Sequence, residues 1–218
     1  MTARKRSTPR ERSGERGQGL LEFALVLPLF AVLLLGVLEL GTAFSHETSL
    51  EYATREGARS GAALANGGGT LGCGAGQSPK ASTVDALIIE AVERVLTSPG
   101  SPIILANVTQ IRIYKATASG AEAGPVNVWV PPTPFVAGTG PIPADNTDHL
   151  DFNSTGVQGW GACSRVNTNP SDVLGVSITY TYHFATGLTQ VLSMIGVTTG
   201  PTWTMTDRTV MNVNPTAQ

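Results

Sequence analysis

The residues best placed to do chemistry stand at the head of an apolar run. In RGQGLLEFALVLPLF, Gly17 is followed by four residues and then by Glu22 and Phe23. A peptidase that cut after Gly17 would leave Gln18 as a new N-terminus with a free amine. On a helix that amine lies about one turn from Glu22. A carboxylate near lipid costs up to about 3 kcal/mol on insertion scales, and less toward the edge. Two explanations fit its position. Either Glu22 lies at the membrane interface and meets water, or it neutralises an amine. Within one chain the two groups compensate each other in part. Between staggered neighbours in a filament, the carboxylate of one subunit can neutralise the amine of the next, and a low dielectric strengthens that attraction.

Elsewhere the ingredients of catalysis are scattered. His46, His149 and His183 lie in unrelated contexts, and there is no G-x-S-x-G, HExxH or phosphate-loop lysine. GGGTLGCGAG lacks the preceding strand and the GK[ST] of a phosphate loop and reads as a flexible linker. Asp145, Asp148 and Asp151 miss the spacing of an EF-hand and read as a solvated acidic loop. The sequence therefore predicts no catalytic residue, no metal site, no cofactor and no enzyme. Cys73 and Cys163 lie far apart in Gly-rich stretches, outside any CxxC pair. In an oxidising compartment they can form a long-loop disulfide worth about 4–5 kcal/mol in the chain-entropy model; otherwise they are two thiols.

These groups must be positioned by a long helix. Six of the 14 Lys and Arg fall in the first sixteen residues, and the whole 218-residue chain has net charge −2. That balance argues against nucleic-acid binding, which needs a basic face. From Phe23 to Leu38 no residue is charged. Counted from Gly19, the apolar run reaches about 20 residues, enough to span a bilayer. Leu25, Pro28, Leu33 and Leu38 lie in this expected span. Pro28 removes one backbone hydrogen bond and is expected to bend the helix. The basic leader is expected to stay cytoplasmic, leaving the remainder outside. Ala43 and Ser45 could precede a signal-peptidase cut, but the run is longer than the ~7–15 residues of an ordinary signal core. A buried core helix is the other alternative, and the run's length and lack of a polar face count against it.

The helical pattern continues from Leu38 to about Leu64. Glu51 and Arg55 stand in the favourable i,i+4 order. Small residues recur at Ala53, Gly57, Ala58, Gly61 and Ala62, a face suited to packing on a sheet, on neighbouring subunits, or to a plain surface helix. Asn66-Gly67-Gly68-Gly69 ends the helix. A bent helix of about 45 residues from Gln18, about 65 Å long, is the expectation.

G-x4-E-F ahead of an apolar helix resembles the class III processing site of type IV pilins and pseudopilins. The string RGQGLLEFALVLPLF, followed by ELG, is similar to the TadE-like proteins of tight-adherence (Flp) pilus systems. The resemblance runs from Arg16 to about Ala62. It implies bacterial origin, inner-membrane insertion and a role as minor pilin or pseudopilin. It makes Gly17 the last leader residue, Gln18 the first mature residue, and Glu22 with Phe23 the subunit-pairing residues. Implied partners are a prepilin peptidase, other pilin subunits and the Tad assembly machinery.

The expected fold is α+β and pilin-like: leader 1–17, membrane and stalk helix 18–64, and an extracytoplasmic domain 65–218 with a small antiparallel sheet and short helices. Within it, Ser82-x-x-Asp85 reads as a capping pattern for a helix Thr83–Leu96 with Val84, Leu87, Ile88, Ala91, Val92 and Val95 on one stripe. A strand is expected over 109–117. Residues 120–172 read as a long loop hiding at most a strand at 126–130. VLGVSITYTYHF alternates as a strand, GLTQVLSMIG as a short amphipathic helix, and 202–213 as a last strand antiparallel to 174–184. The short helix either closes the sheet or touches the membrane or pilus shaft. The alternative to a pilin is a permanently anchored envelope protein whose outer domain binds a partner.

Overall fold

A computed structural model describes residues 15–64, 81–143, 148–167, 170–194, 196, 200 and 202–213. Most of the leader, together with Cys73, Asp145 and Ile195, lies outside the described residues. The chain divides into two compact units, 1–41 with 184–199, and 42–183 with 200–218.

The first unit holds the apolar part of helix α1 (Glu15–Leu64) and a short helix α3 (Leu188–Met194). Pro28 lies inside α1 without ending it. The helix starts earlier and runs longer than its sequence-derived length, 50 residues in all.

The second unit is an α+β layer. Helix α2 (Ala81–Leu96) precedes strands β1 (Val108–Ala116), β2 (Glu122–Val130), β3 (Asn153–Gln158), β4 (Val173–His183) and β5 (Thr202–Asn212). The five strands form one sheet in the order β3-β2-β1-β4-β5, and each neighbouring pair is antiparallel. Alternation puts Leu174, Val176, Ile178, Tyr180 and Tyr182 on the covered face of β4, where all five are buried. Ile111 and Ile113 of β1 join them. The α1 segment after Thr42 and helix α2 supply the other half of this core through Leu50, Ala53, Ala58, Val84, Ile88 and Val92.

Glycine sets how closely α1 approaches. A Cβ on Gly57 would lie 2.6 Å from Val92 Cγ2 and 3.3 Å from Val176 Cγ1. One on Gly61 would lie 2.9 Å from Leu174 Cδ2 and 3.1 Å from Ile88 Cδ1. The small face of the stalk therefore packs on α2 and β4 of its own chain. On the sheet's other face Tyr114 pairs across from Gly175, and a Cβ there would fall 2.3 Å from the ring.

Residues 120–172 are not one loop. They contain all of β2 and β3, of which the sequence marked only 126–130. The extra order has a polar cause. Asn127, fully buried, donates from Nδ2 to Asp85 Oδ2 (2.5 Å) and to Trp160 O (2.8 Å), and its Oδ1 accepts from Trp160 N (2.8 Å). Arg165 pairs with Asp85, donates to Trp160 O (3.2 Å) and lies 4.8 Å over the Trp160 ring. Side chains thus close the connections that hydrophobic periodicity leaves unspecified. Asp85, expected in a capping pattern, serves this network from the first turns of α2.

Candidate functional site

From Leu20 to Leu40 the first unit presents large apolar side chains to its surroundings. Phe23 is 62% exposed, Leu25 72%, Leu33 60% and Leu38 56%, so the described residues leave most of this stretch uncovered. The helix Gly17–Leu64 is long and apolar enough to cross a membrane. A Cβ added at Gly17, Gly19, Gly36 or Gly41 would meet nothing within 4 Å. These glycines leave room for a neighbour that is not part of this chain.

At the head of this stretch Gly17 and Gln18 are helical and exposed. The Gln18 side chain donates from Nε2 to Glu22 Oε1 at 3.2 Å. Residue 18 and Glu22 therefore share one face, a single turn apart. Glu22 is exposed and makes no ion pair among the described residues. Phe23 beside it is exposed as well.

A second carboxylate, which the sequence reading passed over, closes the apolar stretch. Glu39 is buried, at 4% exposure. Its Oε1 accepts from Ala185 N at 2.9 Å, and Oε2 accepts from Thr186 N at 2.9 Å and Thr186 Oγ1 at 2.6 Å. These three donors help satisfy the buried carboxylate. These partners are 146 and 147 residues away in sequence, so no local pattern announces them.

In the second unit the stalk carries a third polar lock. Thr54, fully buried, hydrogen-bonds Asp207 and, at 3.0 Å, the Thr209 hydroxyl on β5. Thr42 meets the Tyr182 hydroxyl at 2.7 Å. Glu93 of α2 accepts from Asp151 N (2.8 Å) and Phe152 N (3.2 Å), holding the loop before β3. Burial pushes its carboxyl up from an ordinary 4.5 to about 8, against the pull of the two N–H groups.

The three histidines stay apart. His46 Nδ1 lies 2.8 Å from Thr42 O and packs on the Tyr182 and Tyr180 rings; His149 Nδ1 lies 2.7 Å from Gly140 O; His183 is exposed at the end of β4. Asp151 accepts from Gly138 N at 2.6 Å. Among the described residues no His, Cys, Asp and Glu gather into a metal-binding group. Cys163 is disulfide-bonded, and the chain's other cysteine is Cys73.

Residues 17–59 match the family model described as TadE-like protein. The helix is TadE-like. The match opens on Gly17, takes in Glu22 and the apolar run, and ends in the small-residue face at Arg59. The match covers 43 of the chain's 218 residues. The sheet unit beyond the TadE-like segment lies outside the match. No curated protein and no solved structure matches the chain.

Proposed function

We propose that the chain is a minor pilin or pseudopilin of a tight-adherence (Flp) pilus system. The apolar part of α1 is stored in the inner membrane, with the leader cytoplasmic and the sheet unit outside. A prepilin peptidase cuts between Gly17 and Gln18, and the helix then bundles with other pilin helices in assembly or in the filament. The observation that carries this reading is the head of the TadE-like segment. There Gly17, Gln18 and Glu22 stand in processing-site spacing at the head of a helix whose large apolar side chains from Leu20 to Leu40 are mostly uncovered. The uncovered glycines and the unpaired Glu22 support a partner of the same kind. A neighbouring subunit's freed amine satisfies the carboxylate, and its helix fills the space beside Gly19 and Gly36. The disulfide at Cys163 is compatible with an oxidising, extracytoplasmic compartment.

The chemistry asked of this site is recognition and charge neutralisation. The sheet unit serves to cap, prime or decorate the filament.

The test is mass spectrometry of the N-terminus after co-expression with a prepilin peptidase. A chain beginning at Gln18 supports the pilin. A chain that keeps its leader whether or not the peptidase is present overturns cleavage and leaves a permanently anchored envelope protein.

A further inference from the structure

The first unit pairs the apolar helix with a second apolar element. Helix α3 has Leu188, Val191, Leu192 and Met194 among its seven residues, and none of its residues is buried. Met194 is 84% exposed. The sequence around it, from Phe184 to Thr206, carries no Asp, Glu, Lys, Arg or His. A short uncharged helix with Met194 open and Leu188, Val191 and Leu192 only half-covered gains little hold from its own packing.

What fixes α3 is Glu39. The carboxylate binds the backbone of Ala185 and Thr186, immediately before α3, and the Thr186 hydroxyl as well. Thr186 Oγ1 in turn accepts from Leu188 N at 3.3 Å, the first residue of the helix. Glu39 also marks a depth. At 1.5 Å per residue it lies about 26 Å along the axis from Glu22 and about 33 Å from Gly17. A hydrocarbon core of about 30 Å that begins at the helix head therefore ends near Glu39. The tether holds α3 where the core meets the headgroups.

We infer that α3 is a second lipid contact, lying in the outer interface of the membrane that α1 crosses and fastened there by Glu39. This rests on the membrane reading of α1 proposed above. The occupant is a lipid surface because Met194 is open, and Leu188, Val191 and Leu192 are only half-covered, in the same compact unit as the uncovered span. Interfacial helices bind through buried apolar area and through attraction to anionic lipid. With no basic residue from 184 to 206, only the first is open to α3, so the contact is indifferent to headgroup charge and to salt.

The experiment uses the full chain in nanodiscs of zwitterionic phosphatidylcholine, with single spin labels at Met194, Leu33 and Val136 and the native disulfide retained. Collision with oxygen reports lipid, and collision with a water-soluble nickel chelate reports solvent. The Leu33 label is expected deep, and the Val136 label, on an exposed loop residue of the sheet unit, in water. The Met194 label is expected at interfacial depth, with oxygen collisions several-fold above chelate collisions and unchanged by added anionic lipid or salt. Glu39→Ala is expected to raise the mobility of the Met194 label. A Met194 label in water with Leu33 deep overturns the α3 contact and spares the span. A Leu33 label in water overturns both. A Met194 label shielded from both reagents, with broadening between labelled copies, replaces lipid by a second subunit and also overturns the inference. If Glu39→Ala does not fold, the depth profile of the otherwise native protein still decides.

Discussion

The two halves of α1 use glycine in opposite ways. Before Thr42, a side chain added at Gly17, Gly19, Gly36 or Gly41 would touch nothing. After it, one added at Gly57 or Gly61 would strike α2 and β4 at under 3 Å. The large residues follow the same division: Leu25, Leu33 and Leu38 are uncovered, and Leu50 is fully buried. A small residue in a helix records a close neighbour. In the second half that neighbour belongs to the chain. In the first, an added side chain meets nothing in the chain, and the TadE-like match covers both halves without distinguishing them.

The sharpest way to break this contrast is to fill the glycines. Gly57→Val is expected to destabilise the sheet unit by about 2–3 kcal/mol through overpacking against Val92, read as a lower midpoint in thermal unfolding of the detergent-solubilised protein. Gly36→Val, in open space, is expected to leave that midpoint unchanged. If both variants melt alike, the two halves do not differ as described.

Thr54→Val removes the hydroxyl that Asp207 and Thr209 share and leaves polar groups beneath β5 short of a partner. A loss of about 1–2 kcal/mol is expected, and Thr54→Ser should restore most of it. A neutral Thr54→Val would mean that the stalk is held by shape alone.

How much of this was legible in the sequence depends on what kind of force fixed each element. The apolar run announced itself by its uncharged length, and α2, β1, β4, α3 and β5 by period, because one face of each of these is apolar. The first half of β2 has Gly124 and Pro125, and β3 has Gly156; both look like loop because their order comes from Asn127, Asp85, Trp160 and Arg165 meeting across the fold. Glu39 was invisible for the same reason. Its sequence neighbours say only that the apolar run stops, and its partners lie on the far side of the chain. The pairing of Glu51 with Arg55, by contrast, was local and appears in the structure as expected.

Glu93 sharpens the comparison through pH. Its folded-state value is raised, so burial favours the protonated acid. The stability that follows is fully present below about 4.5 and is lost as pH climbs through about 8. Unfolding midpoints of the native protein should therefore fall between pH 5 and 9, and Glu93→Gln should flatten that slope. A slope that persists in the variant assigns it to another group. The smallest effect belongs to the stalk surface. Arg55→Ala removes an exposed ion pair and is expected to cost about 0.3–0.5 kcal/mol, measurable only as a slight shift in midpoint that added salt should mask.

The sheet order places β5 beside β4, and β5 carries Asp207, the partner of Thr54 that lies 153 residues further along the chain. At ribosomal speeds of about 5–20 residues per second, that gap lasts about 8–30 s. For all of that interval the stalk lacks the last strand of its own sheet, while the greasy head of the same helix is ready for the bilayer at once. If the span inserts as proposed, anchoring precedes closure of the sheet, and each nascent molecule passes through a tethered, half-built stage in which its glycine-lined face is open to whatever lies beside it.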